Sequence, residues 1–273
     1  MKTKLIVISL VIFLVGFFSL FYLQNSQEVE EENITSFKIA GKDFTLPSPI
    51  HTFTFLNESG FKWEGLGNQD QNTEYTLQSQ IALQLGVRAS NGVIFLFTKE
   101  LKSAWDARED VLRNARKLEL ENQIKKSIMI LDRSVIAGSS NSDILENIID
   151  IEISLENSLQ KKGRDDLSLL IEMGAWIGGL EIVTKGLVRE FNEIHTEVLH
   201  QSHLSDLSIE IFKEIIYKTK GEKEKEFLTH ILNELTKIHS RILSLENRRI
   251  TKTDVLELNR ESKELVNYLN NPK

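Results

Sequence analysis

The side chains best suited to metal chemistry in this sequence are histidines and glutamates that lie close together. They are Glu193, His195, Glu197, His200 and His203. Glu197 and His200 have the Glu-x-x-His spacing that carboxylate metal sites use in helical bundles. Such a site needs this motif twice, and the sequence contains no second copy. A metal-binding protein or an enzyme that uses the region from His195 to His203 is therefore the alternative prediction, and we assign no metal ligand.

Other arrangements that support catalysis are missing from the sequence. The chain has no cysteine, which excludes disulfides, thiolate zinc sites and cysteine nucleophiles. No Gly-x-Ser-x-Gly motif indicates a serine nucleophile, and no glycine-rich phosphate loop is followed by a lysine. We therefore predict that the protein is not an enzyme and has no cofactor.

The most unusual stretch is glycine-rich and covers residues 173–182. Each glycine in a helix costs about 1 kcal/mol relative to alanine, so we expect a compensating contact. One interpretation is a tight helix crossing in the core. The other is a groove that binds a small molecule or a peptide. The residues of this candidate binding groove are Gly174, Trp176, Gly178 and Gly179.

Two short segments of the chain carry a resemblance to a known family. They are Leu-Gly-Val at residues 85–87 and Gly-Ala-Trp-Ile-Gly-Gly-Leu at residues 174–180. In these segments the chain resembles a family of exported all-helical proteins, often lipoproteins, from Bacteroidetes-type bacteria. The resemblance runs from Pro47 to about Phe191 and implies an all-helical fold, but the family has no known activity and implies no site. The chain departs from the lipoprotein pattern because it lacks the cysteine that would carry the lipid.

An apolar run that begins at Leu5 and ends at Leu23 is long enough to cross a bilayer. Lys2 and Lys4 precede the run and acidic residues follow it, so the positive-inside rule keeps the N-terminus in the cytoplasm. We predict that residues 1–23 form an uncleaved anchor in the inner membrane, with the rest of the chain outside the cytoplasm. The alternative is a signal sequence whose cleavage would give a secreted or periplasmic protein.

Residues 24–46 are predicted to form an acidic spacer and an extended lead-in to the main domain. Two short alternating runs in this region, residues 37–39 and 44–46, predict a short β-hairpin. The whole chain carries 40 acidic and 33 basic residues, for a net charge of −7. Because such a surface repels nucleic acid, we exclude nucleic acid as a partner.

Residues 47–273 have a helical apolar period almost throughout, which predicts an all-α fold built as a helical bundle or an irregular helical array. Residues 93–97 are ambiguous because a short apolar run fits either a buried strand or a helix. Helix breaks are expected at Gly138 and Gly163, with Ser142 as the N-cap after the first break.

The last part of the chain, residues 222–270, is predicted to form a helical hairpin. Apolar residues recur there in steps of three and four, and a short link separates two stripes. Thr251 and Asp254 have the spacing of a capping box at the start of the second helix. Together these features favour a membrane-anchored envelope protein that acts as a binding or scaffolding module, with a protein or small molecule as its partner.

Overall fold

The computed structural model describes residues 34–39, 42–47, 50–68 and 74–271. Two compact units can be distinguished, and every described helix belongs to the larger one. In the lead-in, β1 (Ile34–Ile39) and β2 (Lys42–Pro47) pair in a two-stranded sheet. The apolar run from Leu5 to Leu23 and the acidic residues that follow it lie outside the described residues.

The larger unit is built from helices, so the predicted all-α fold is confirmed for the part of the chain that begins at residue 50. A short 3-10 turn, Glu197–Leu199, precedes the last three helices. The α-helices are α1 (Ile50–Glu58), α2 (Gln78–Phe97), α3 (Leu101–Lys117), α4 (Glu121–Ala137), α5 (Asn141–Lys161), α6 (Asp165–Arg189), α7 (Glu193–Thr196), α8 (Ser202–Lys218), α9 (Glu222–Leu245) and α10 (Lys252–Asn270).

Left-handed glycines end two of the central helices. Gly138 follows α4 with φ 74°, and Gly163 follows α5 with φ 65°. Glycine adopts this conformation without the steric cost that other residues incur, so both breaks could be predicted from the sequence. The predicted N-cap at Ser142 is wrong, because Ser140 caps α5 instead. Its hydroxyl accepts a hydrogen bond from the backbone N–H of Asp143 at 3.2 Å in a capping box.

Residues 93–97 form the end of α2 and are not a strand. Their helical state follows from their surroundings, because α2 packs against α3 and also against α6. A helix covered on several sides carries apolar residues around most of its circumference, which hides the usual amphipathic period. The ambiguity in the sequence therefore comes from burial.

The central helix of the larger unit is α6. It packs against α2, α5, α8 and α10. Among the described residues it is the one helix whose length and composition would allow it to cross a membrane. In the structure 89% of the most apolar 18-residue stretch of this helix is buried by the rest of the protein, as expected for a core helix.

The two terminal helices, α9 and α10, attach to the unit through different neighbours. Helix α9 packs against α8, while α10 packs against α6. The predicted capping box of Thr251 and Asp254 is present at the start of α10. The apolar stripe predicted for α9 is fully buried and consists of Leu228, Ile231, Leu235, Ile238, Ile242 and Leu245.

Candidate functional site

The glycines of the predicted groove lie in the crossing between α6 and α2. A Cβ atom added to Gly174 would lie 2.0 Å from the carbonyl oxygen of Leu83. On the other helix, a Cβ atom added to Gly86 would lie 2.0 Å from the carbonyl oxygen of Ile171. The two backbones thus approach so closely that only glycine fits at these positions. This geometry corrects the groove interpretation of Gly174 and Gly178, because these residues form a tight helix crossing.

Trp176 and Gly179, the other two residues of the predicted groove, are also covered by the protein. The Trp176 side chain is buried, and its indole N–H donates a hydrogen bond to Oε1 of Gln201 at 2.8 Å. A Cβ atom on Gly179 would lie 3.4 Å from the ring of Phe53. Trp176 therefore links α6 to the start of α8, and neither residue borders an open groove.

The histidines of the alternative prediction lie in three different environments. His195 is buried, with Nε2 3.1 Å from the carbonyl oxygen of Ser59. His200 lies 3.9 Å from a carboxylate oxygen of Glu246, and His203 is exposed. Within residues 50–68 and 74–271, no group of three or more His, Cys, Asp or Glu side chains is placed to hold a metal ion. The geometry therefore gives the metal-binding alternative no support.

An apolar cavity with a volume of about 120 Å³ lies beside the crossing of α2 and α6. All five helices from α2 to α6 contribute to its walls. Space is left on α2, α3 and α6 because their lining positions include the small residues Ala89, Gly92, Ala104, Ala107 and Ala175. The facing walls on α4 and α5 consist of larger side chains, Ile128, Leu131, Val135, Ile148, Ile151 and Leu155.

Several apolar side chains that line the cavity are only partly buried. They include Trp105 and Val111 on α3, Leu131 on α4, and Ile148 and Ile151 on α5. Protein interiors are normally close-packed, so side chains of this kind would be fully covered in an ordinary core. A concave apolar surface that remains open to solvent is the usual form of a small-molecule site.

The charged groups of the cavity are mostly acidic. They are Arg108 on α3, Asp132 on α4, Glu152 and Glu156 on α5, and Glu172 on α6. Arg108 donates through Nε to both carboxylate oxygens of Asp132, at 3.0 and 3.1 Å. This ion pair joins α3 to α4. The negative charge of Asp132 therefore already balances the positive charge of Arg108 within the protein.

Glu172 is the acidic group whose chemistry the cavity changes most. Burial, reinforced by the nearby negative charge of Glu156, raises the pKa of the Glu172 carboxyl to about 7. At neutral pH this carboxyl is therefore close to half protonated, so it can donate or accept a hydrogen bond. A strongly shifted pKa in a cleft is typical of a functional site.

A second carboxyl of α6, that of Glu181, has structural partners. It is buried and accepts a hydrogen bond from Nδ2 of Asn68 at 2.8 Å. The ammonium group of Lys185 donates to Oδ1 of Asn68 at 2.9 Å and to the carbonyl oxygen of Leu66 at 2.8 Å. Burial raises the pKa of Glu181, and the charge of Lys185 opposes that change. Glu181 thus fixes α6 to the segment after α1.

The cavity is the feature that could not be predicted from the apolar pattern alone. The stripes of α4 and α5 are visible in the sequence, but a stripe predicts burial and does not reveal a gap behind it. The feature of the sequence that could have indicated the cavity is a set of acidic residues within the apolar stripes. Asp132, Glu152 and Glu172 each lie three positions before an apolar lining residue (Val135, Leu155 and Ala175), so each shares a helix face with that residue. Carboxylates at such positions indicate a wall that is not part of a dry core.

Comparison with known proteins suggests no function, so a function has to be inferred from the cavity. No family model, no curated protein and no solved structure matches this chain. The resemblance to exported helical proteins of Bacteroidetes-type bacteria therefore stays an expectation. It concerns residues of the helix crossing and contributes no ligand or activity.

Proposed function

We propose that this protein is a non-enzymatic, membrane-anchored binding module of the cell envelope that holds an apolar ligand in the cavity lined by the five helices from α2 to α6. In this proposal the run from Leu5 to Leu23 is the inner-membrane anchor, and a short hairpin connects the acidic spacer to the helical domain. The observation that carries the proposal is the partly exposed apolar lining, which five helices converge to form.

The size of the cavity limits the ligand to a short alkyl chain or a single ring. Its volume of about 120 Å³ is similar to that of the engineered cavity of about 150 Å³ that binds benzene. Each methylene group that moves from water into such a site contributes about 0.8 kcal/mol to binding. A six-carbon chain therefore has enough apolar surface for measurable affinity.

The predicted position in the envelope agrees with this ligand class. An anchor at Leu5 to Leu23 would hold the helical domain beside a bilayer, which concentrates apolar molecules. The acidic composition of the chain makes nucleic acid an unsuitable partner. A binding role also needs no catalytic group, consistent with the prediction that the protein is not an enzyme.

The proposal is tested by titrating hexanol into the full chain in lipid nanodiscs, with empty nanodiscs titrated in parallel. Ala89 lines the cavity, so Ala89→Phe would fill space that the ligand needs. Ala137, at the end of α4, is exposed and lies outside the lining, so Ala137→Phe is the matched control. Isothermal titration calorimetry measures the affinity of each protein.

We expect saturable binding of hexanol to the natural chain and to Ala137→Phe. Ala89→Phe should weaken binding by about tenfold, because it removes contacts worth roughly 1.4 kcal/mol. Circular dichroism at the same temperature establishes that both variants remain helical. Absence of binding to the natural chain above the empty nanodiscs would contradict the proposal, and so would equal binding by a folded Ala89→Phe variant.

A further inference from the structure

The charge of the cavity wall determines which charge the polar group of a ligand can carry. Among the lining residues, Asp132, Glu152, Glu156 and Glu172 are acidic, and Arg108 is the one basic residue. The cavity therefore combines apolar walls with a negative electrostatic potential. Such a site attracts a cation and disfavours an anion.

Arg108 offers little to an anionic ligand because its donors are engaged. Its Nε contacts both carboxylate oxygens of Asp132, and its Nη2 lies 2.9 Å from one of them. Its Nη1 pairs with Glu109. A ligand carboxylate would have to break these ion pairs, which already have favourable geometry. A fatty-acid anion is thus a poor fit for this wall.

Glu172 is the side chain best placed to receive a cationic group. It lies on α6 between lining residues, with Ser168 and Ile171 before it and Ala175 after it. Its protonated form persists to a higher pH than in an ordinary glutamate, since burial and Glu156 both penalise its charge. A ligand ammonium would replace the proton and compensate the negative charge.

We propose that the cavity selects a small amphiphile in which a short apolar chain ends in a protonated amine, with the ammonium group at the Glu172 carboxylate. This inference rests on the proposed function, because it assumes that the cavity holds an apolar ligand. A small molecule is favoured over a peptide or a nucleic acid because the space is a cavity of about 120 Å³ among five helices.

The test compares three probes that share one chain and differ in their polar end: hexylamine, hexanol and hexanoate. Each is titrated by calorimetry into the full chain in nanodiscs at pH 7, with empty nanodiscs subtracted. Glu172→Gln keeps the shape of the side chain and removes its charge. Glu146→Gln is the matched control, because Glu146 is exposed on α5 and does not line the cavity.

We expect hexylamine to bind at least about tenfold more tightly than hexanol, and hexanoate to bind least well. Glu172→Gln should bring the affinity for hexylamine close to that for hexanol, while Glu146→Gln should leave both unchanged. Hexanol binding by Glu172→Gln establishes that the variant retains a folded cavity.

The outcomes separate this inference from the proposed function. Equal binding of the three probes, or tight hexylamine binding by Glu172→Gln, would overturn the selectivity for an amine and leave an apolar site intact. Failure of all three probes to bind would overturn the proposed function itself. Preference for hexanoate would overturn the charge argument, because Arg108 would then be available to an anion.

The pH dependence of hexylamine binding provides a second readout. The charged groups that line the cavity come from α3 (Arg108), α4 (Asp132), α5 (Glu152 and Glu156) and α6 (Glu172), and α2 contributes none. Hexylamine stays protonated between pH 6 and pH 8, whereas Glu172 loses its proton in this range. Affinity should therefore rise by up to about tenfold from pH 6 to pH 8. A pH-independent affinity would contradict a role for the Glu172 carboxylate.

Discussion

A carboxyl group among apolar side chains destabilises a fold mainly when it is charged. Glu172 and Glu181 lie on the same helix, and the carboxylate of Glu181 accepts a hydrogen bond from the side chain of Asn68. Glu172 instead lines the cavity beside Glu156, and its pKa is raised to about 7. The difference between the two residues is the clearest indication at the level of single side chains that the cavity has a chemical role.

The first prediction concerns Glu172→Gln and the pH dependence of stability. A carboxyl whose pKa rises from 4.5 to about 7 on folding binds more protons in the folded state. Stability due to this group is fully present below pH 4.5 and is lost as the pH rises through 7. We expect Glu172→Gln to be more stable than the natural chain by about 2 kcal/mol at pH 8, a value discounted for partial solvent access.

Urea unfolding at pH 4.5 and pH 8 measures this effect. The two proteins should differ by less than about 0.5 kcal/mol in unfolding free energy at pH 4.5, because Glu172 is neutral in the folded state there and only half ionised in the unfolded state. Glu146→Gln should change stability little at either pH, since Glu146 is exposed. A Glu172→Gln variant that is less stable than the natural chain at pH 8 would contradict the assignment of a buried, unfavourable charge.

The sequence identifies unusual residues more readily than it identifies their roles. Trp176 stands out in an apolar helix, but the sequence does not show that Gln201 receives its indole N–H. The partner comes from a different element, and pairings across elements depend on the tertiary fold. For the same reason the sequence leaves a groove and a helix crossing as alternatives at Gly174, where the structure has the crossing.

At the level of elements, the crossing of α2 and α6 organises the helical unit. Gly86 and Gly174 face each other across it, and a Cβ atom on either would overlap the backbone of the other helix. The helix propensity lost at these glycines is offset by the close approach of two buried helices. The same helices also provide two walls of the cavity.

The second prediction tests this crossing with a matched pair of alanine substitutions. Gly174→Ala would place a Cβ atom 2.0 Å from the carbonyl oxygen of Leu83, so the helices would have to separate. Gly92→Ala on α2 would place its Cβ atom 3.7 Å from that of Ala107, which is an ordinary contact. We expect Gly174→Ala to destabilise the protein by about 3 kcal/mol.

Gly92→Ala should be neutral or stabilising by up to about 1 kcal/mol, because alanine has the higher helix propensity. Thermal unfolding followed by circular dichroism measures both changes, as a large fall in the midpoint for one variant and little change for the other. Similar midpoints for the two variants would show that the backbones are not in close contact at Gly174.

Local signals explain why most elements were predictable. Gly138 and Gly163 end helices through their left-handed conformation, and Thr251 with Asp254 begins α10 through a capping box. These interactions involve residues close together in sequence, so a short window contains them. The cap of α5 was misplaced by two residues because the sequence there offers several serines, of which Ser140 has Asp143 three positions later.

At the scale of the whole molecule, a proposed anchor precedes a helical domain that contains an open apolar cavity. The apolar stripes that form the core of the helical domain predict neither the anchor nor the cavity. The anchor is an inference from composition, because a long apolar run between basic and acidic flanks is typical of a membrane helix. The cavity depends on how five helices pack, which no single segment of sequence specifies.

The third prediction concerns the anchor. Leu14 lies in the middle of the apolar run, where an arginine costs about 2.5 to 3.5 kcal/mol in membrane insertion. Leu243 is an exposed leucine on α9, so Leu243→Arg is the matched control. We expect the natural chain and Leu243→Arg to remain in carbonate-washed membranes, and Leu14→Arg to be depleted from them.

Immunoblots of the membrane and soluble fractions measure this distribution. Recovery of the intact natural chain in the cytosolic fraction would contradict both the anchor and the proposed location in the envelope. Recovery of a shortened chain outside the cytoplasm would identify the run as a cleaved signal sequence and would leave the cavity proposal unchanged.

The central claim, that the cavity is the binding site, is tested most directly by photolabelling the full chain in membrane vesicles. A neutral alkyl diazirine samples apolar sites regardless of charge, and peptide mass spectrometry locates the labelled residues. We predict saturable labelling of cavity-lining residues on α2, α4 and α5, which excess hexanol reduces and Ala89→Phe weakens. Labelling that is confined to the run from Leu5 to Leu23, or that hexanol does not displace from the helical domain, would contradict the claim.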